Sequence, residues 1–139
     1  GLTRLFTFLQ TDTAQAPTPA LQTALAHSGD TAAALSQFGL AQTDTLAVAS
    51  LQLFARIYAA VAGNLALTAK ASGGVYLAGG IAAKILPVLQ TEDFLHTFAA
   101  KAPMTALLHQ MPVTVIRNPD VGLQGAAWVA GRACPSGTL

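Results

Sequence analysis

Gly73-Gly74-Val75-Tyr76-Leu77-Ala78-Gly79-Gly80-Ile81 decides how this chain is read. Four apolar residues stand between two glycine pairs, and Ile81-Ala82-Ala83-Lys84-Ile85-Leu86 follows without a break. That order predicts a short buried strand, a tight glycine turn, and a helix whose first amides point back at the turn. Glycine removes the Cβ that keeps a ligand away from the backbone. A helix N-terminus beside it offers N–H donors and the positive end of a dipole. Gly79, Gly80 and Ile81 therefore mark the place where this chain would touch a nucleotide. Gly73 and Gly74 read as turn formers.

Downstream, Met111-Pro112 leads into Val113-Thr114-Val115-Ile116, a β-branched run that reads as a second buried strand. Between the strands lie a helix from Ile81 to Leu89, bent or shortened by Pro87, a short amphipathic helix from Glu92 to Ala99, and another from Met104 to His109. Strands joined by a helical crossover run parallel with a right-handed connection. Parallel strands need cover on both faces and neighbours at both edges, so the rest of such a sheet is expected elsewhere. After the turn Arg117-Asn118-Pro119-Asp120, a final helix spans Gly122 to Ala130 with Trp128 as packing core. Residues 132–139 read as a flexible tail.

Upstream, Leu2, Leu5, Phe6 and Leu9 have helical spacing, and Thr11 to Pro19 reads as a loop. Thr18-Pro19 opens a second helix through Leu25, and Asp30 or Thr31 caps a third, Ala32 to Phe38, ended by Gly39. Thr43-Asp44 caps a long helix from about Thr45 to Ala69, with Leu46, Leu53, Ile57, Ala60 and Leu67 toward one face and Gln52 and Arg56 on a polar one. Its length suits a membrane span. Arg56 near the midpoint opposes that by ~2.5–3.5 kcal/mol on the insertion scale, and Gln52 and Asn64 interrupt the run. A buried core helix is the better reading.

The 139 residues are 53% hydrophobic and 9% charged, against roughly 25% charged in an average domain. So little charge leaves apolar surface that something must cover, either a partner copy or a missing part of the same protein, and a homodimer is expected. The net charge of +1 comes with scattered basic residues, which leaves no footprint for nucleic acid. His27, His96 and His109 lack metal-ligand spacing, and Cys134 alone builds neither disulfide nor zinc site. A reducing, cytoplasmic setting fits. The chain enters a helical pattern at Gly1-Leu2-Thr3-Arg4, without a methionine or signal peptide, and so reads as a piece of something longer.

The ordered set Gly63-Asn64-Leu65-Ala66-Leu67, Gly73 to Ile81, Met111-Pro112-Val113 and Gly122-Leu123-Gln124-Gly125-Ala126-Ala127 resembles the C-terminal part of bacterial-type glucokinases, over roughly Gly1 to Arg132. The resemblance implies a helix-rich α/β fold: residues 1–131 forming part of an actin-like (ribonuclease H-like) ATPase lobe, with a short parallel strand pair flanked by helices. It implies that Gly79, Gly80 and Ile81 lie against the adenosine of ATP or ADP. It also implies transfer of the γ-phosphoryl group to the 6-hydroxyl of glucose, with magnesium. The family's phosphate loops, Asn-Asp catalytic pair and sugar-binding Glu/His segment are absent from this sequence. Asp12, Asp30, Asp44, Asp93 and Asp120 sit in no matching context, so no catalytic or metal-binding residue is assigned. Glucose would be met through the missing N-terminal part, and the 139 residues alone are expected to be inactive. The alternative is a non-catalytic module, either the remnant of a sugar-kinase-like repressor or a dimerisation domain.

Overall fold

Asp44 starts the element around which the chain is built. Its carboxylate accepts from the Ala47 N–H at 2.8 Å and so caps α4, Thr45–Thr68. Its other oxygen accepts from the Thr18 N–H at 2.7 Å. Thr18 in turn caps α2, Pro19–His27. One side chain, 3% exposed, thus fixes two helix starts that lie 26 residues apart. Burial alone pushes the Asp44 pKa up. The hydrogen bonds from Thr18 and Ala47 outweigh that and hold it below the ordinary carboxylate value.

The computed structural model describes residues 1–133. Besides α2 and α4 its elements are α1 (Leu2–Thr13), α3 (Thr31–Leu40), β1 (Val75–Leu77), α5 (Gly80–Lys84), α6 (Leu86–Leu89), α7 (Glu92–Ala99), α8 (Thr105–Leu108), β2 (Val113–Val115) and α9 (Val121–Ala133). Helices α1, α3, α6, α7 and α8 all pack against α4. The strands form a two-stranded parallel sheet in the register Val75↔Val113, Tyr76↔Thr114, Leu77↔Val115. The helix-rich α/β class and the parallel pair follow the sequence expectation.

The buried side of α4 shares Leu46 with the expected face, whose Leu53, Ala60 and Leu67 are only half-buried. Leu46, Ala47, Ser50, Leu51, Ala55, Ala59, Ala62, Gly63 and Ala66 face inward, while Ile57 is 45% exposed. The cause is backbone proximity: a Cβ on Gly63 would collide with the Phe98 carbonyl of α7. Close crossings select small residues over large apolar ones. α4 is long and apolar enough to cross a membrane by length and composition; here the other helices lie along its small-residue face.

Other boundaries shift for local reasons. α1 extends to Thr13 instead of yielding to a loop at Thr11, and the hydroxyls of Thr7, Thr11 and Thr13 are satisfied within it, each donating to a carbonyl four residues back. The expected helix from Ile81 to Leu89 is divided at Ile85, two residues before Pro87, whose ring and missing N–H break the ladder. Both strands are half-buried rather than buried: Leu77 is covered, but Tyr76 is 65% exposed and Thr114 is also open. α9 continues through Arg132 and Ala133, which removes those residues from the expected tail; residues 134–139, with Cys134, lie outside the described residues. Trp128, expected in the core, is 62% exposed, with the Arg132 guanidinium 4.0 Å over its ring. Met111, just before β2, is buried.

Because the Asp44 pKa is lower folded than unfolded, its contribution is complete above the unfolded carboxylate value of about 3.9. It is lost as pH falls through the folded value. Asp44→Ala, which strips acceptors from two N–H groups, is expected to cost about 2–3 kcal/mol in urea unfolding at neutral pH. That deficit should narrow progressively below about pH 4. A deficit independent of pH would show that the charge is immaterial.

Candidate functional site

β1 is held against β2 by the Val75 N–H donating to the Pro112 carbonyl and the Ile116 N–H donating to the Leu77 carbonyl, each at 2.8 Å. Gly74, with φ +110°, makes this approach possible; a Cβ there would lie 3.0 Å from both the Pro112 ring and its carbonyl. The first glycine pair is thus explained by the strand it introduces.

The second pair is different. Gly79 has φ +105° and ψ 166°, a region open in practice only to glycine. It turns the chain from β1 into α5, whose N-terminus no side chain caps. A Cβ on Gly79 or Gly80 would meet nothing within 4 Å. The backbone here faces open space, and no packing partner inside the described residues requires Gly80 to be small. Ile81, 61% exposed, follows on the same turn, and Ala82 anchors α5 in the core. All three sequence-predicted contacts therefore fall together on one exposed corner.

Two cavities lie elsewhere. A groove of about 620 Å³ crosses α4, floored by Leu51, Ala55 and Phe94 and edged by Gln52 and the exposed Arg56–Asp93 pair at 3.7 Å. A second, of about 470 Å³, lies under the sheet between Leu77, Val113 and Val115 on one side and Leu86, Leu89 and Leu95 on the other, with Arg117 at its edge. Gly79, Gly80 and Ile81 line neither.

Three of the five aspartate side chains have structural employment, and a fourth aspartate takes part through its backbone. Asp30 and Asp44 cap helices, Asp93 meets Arg56, and the Asp120 N–H closes a turn onto the Asn118 side chain at 2.9 Å. Among the described residues no three His, Cys, Asp or Glu side chains gather as a metal site. The link from Thr18 to Asp44 escaped the sequence, since only folding brings them together.

A family model described as Glucokinase matches residues 1–133. The chain belongs to the glucokinase family. It is 50% identical over 105 residues to a glucokinase of Nostoc punctiforme, covering 76% of this chain and 31% of the relative. It is 47% identical over 103 residues to a glucokinase of Trichormus variabilis, covering 74% and 30%. With a glucokinase of Synechocystis sp. the identity is 47% over 104 residues, covering 75% and 29%. The chain thus spans about 30% of the length of these curated relatives, and the match lies in their C-terminal region.

The two glycines of the corner should separate on substitution. Gly79→Ala is expected to lower stability by about 1–3 kcal/mol through backbone strain. Gly80→Ala should leave the urea midpoint nearly unchanged, because its methyl group enters empty space. Equal losses at the two positions would remove the distinction.

Proposed function

We propose that this chain is the nucleotide-side, C-terminal part of a glucokinase, with residues 1–131 belonging to an actin-like ATPase lobe. The whole protein would transfer the γ-phosphoryl group of ATP to glucose, giving glucose 6-phosphate in the cytoplasm. The observation that carries this is the exposed, uncapped backbone at Gly79-Gly80 in a chain of the glucokinase family. Main-chain amides without a covering Cβ can lie flat against a purine nucleoside and donate to it.

Phosphoryl transfer needs a base on the nucleophile and cations on the phosphates. No described cluster of this chain suits a magnesium ion. The metal, the base and the glucose contacts are therefore assigned to the rest of the polypeptide. This chain's residues bind and orient the nucleoside; alone they are inactive. Neither nucleic acid nor membrane enters this function.

The test is a hybrid in which this chain replaces the part of the Nostoc punctiforme glucokinase that corresponds to residues 1–133. It should phosphorylate glucose with ATP. Gly80→Val in that hybrid should raise the KM for ATP at least tenfold, with the urea midpoint unchanged. Unaltered ATP affinity in the variant would refute the nucleotide assignment.

Homodimer formation is also part of the proposal. Ile57, Val61 and Leu65, 45–62% exposed, form a stripe at four-residue spacing along α4 that a second copy could cover. Sedimentation of the hybrid should give a dimer, and Ile57→Lys a monomer; a monomer at high concentration without the substitution would rule self-association out.

A further inference from the structure

α5 is short enough for its faces to be told apart residue by residue: Gly80, Ile81, Ala82, Ala83 and Lys84. At about 100° per residue, Lys84 stands about 40° around the axis from Gly80 and about 60° from Ile81, almost opposite Ala82. Ala82 is seated in the core at 1% exposure, whereas Ile81 and Lys84 are exposed. Lys84 therefore belongs to the same outward side as the glycine corner, one helical turn along from it. Helical side chains lean toward the N-terminus, so its stem is directed back to that corner.

Nothing in the fold employs the Lys84 ammonium. Among the described residues it has no carboxylate partner; the ion pair there joins Arg56 to Asp93. Lys84 lines neither of the two cavities. Its atoms also stay clear of the corner, since a Cβ on Gly80 would meet nothing within 4 Å. α5 thus carries a cation in its last turn beside a surface that the described residues leave bare.

We infer that Lys84 is the residue by which this chain favours purine over pyrimidine nucleotides: once the nucleoside rests on Gly79-Gly80, the ammonium meets the ring face of the base. The inference rests on the nucleotide assignment above and adds to it a contact that selects the base. A cation is attracted to the electron-rich face of an aromatic ring, and lysine brings a compact charge on a flexible four-carbon stem. The layout favours the base over the triphosphate as its target. No described cluster of this chain suits a magnesium ion, so the phosphates are directed toward the part of the polypeptide that holds the metal, leaving the nucleoside end beside α5. A purine extends one ring further from its ribose than a pyrimidine does. That extra ring brings the base within reach of a side chain one turn, about 5.4 Å, along the helix.

In the hybrid described above, Lys84→Met keeps an unbranched stem and removes the charge. It should raise the KM for ATP about three- to tenfold, while kcat, the urea midpoint and the Ki of CTP against ATP stay unchanged. Lys84→Arg, which retains the cation and stacks on rings, should keep the KM for ATP low. An equal rise for ATP and CTP, which carry the same triphosphate, would reveal a phosphate contact and overturn the inference. So would a KM for ATP indifferent to Lys84→Met, the result for a merely solvated lysine. Gly80→Val separates that failure from the failure of the nucleotide assignment, because it should weaken ATP and CTP alike. A hybrid that responds to Gly80→Val and not to Lys84→Met retains the nucleotide corner and loses the base selection; one that responds to neither loses both. Calorimetric Kd values of ATP and CTP give the same comparison in a hybrid that phosphorylates no glucose.

Discussion

The close crossing of α4 and α7 at Gly63 is the constraint on which the rest of the body depends. The Phe98 carbonyl occupies the space a side chain would need, so the two backbones meet where the bulky residues of both helices must turn aside. Ala55, Ala59, Ala62 and Ala66 keep the rest of the buried side of α4 equally small. With α7 seated, Phe94 reaches the centre of the core at 1% exposure, its ring edge-on to Tyr58 at 6.4 Å. Tyr58 continues the aromatic line to Phe54 at 6.2 Å.

This seam also locates the glycine corner. α6 packs on both α4 and α7, and α5 packs on α6. Buried Ala82 and Ile85 secure that small connection at 1% and 2% exposure. The corner is consequently fixed from behind by packed side chains while its outer surface carries none. A rigid, bare backbone is what a flat aromatic ligand can use, because little conformational entropy remains to be lost on binding.

Much of this was legible in the sequence. Thr18-Pro19 and Asp44 announced helix starts, and the Val113–Ile116 run and the glycine pairs announced the parallel strands, because these signals act over a few neighbouring residues. The buried face of α4 was not legible. Periodicity ranked Leu53, Ile57 and Leu67 by hydrophobicity, while the structure ranks positions by how near another backbone comes. Trp128 failed for a related reason: burial belongs to the surroundings, and a helix cannot supply its own. The Gly79 corner was legible as a turn, since only glycine tolerates that φ. Its openness toward solvent emerged only from the fold.

The bond between the Thr18 amide and the Asp44 carboxylate has a kinetic corollary. It closes a ring of chain containing α2 and α3, and those helices also pack on each other. Losing that clasp leaves α3 still resting on α1 and α4, so it is one restraint among several on how readily this segment opens as a unit. Leu40 of α3 and Pro87 and Val88 of α6 line the same groove, and α5 packs on α6. Loosening at the clasp therefore reaches the elements that stand behind the glycine corner.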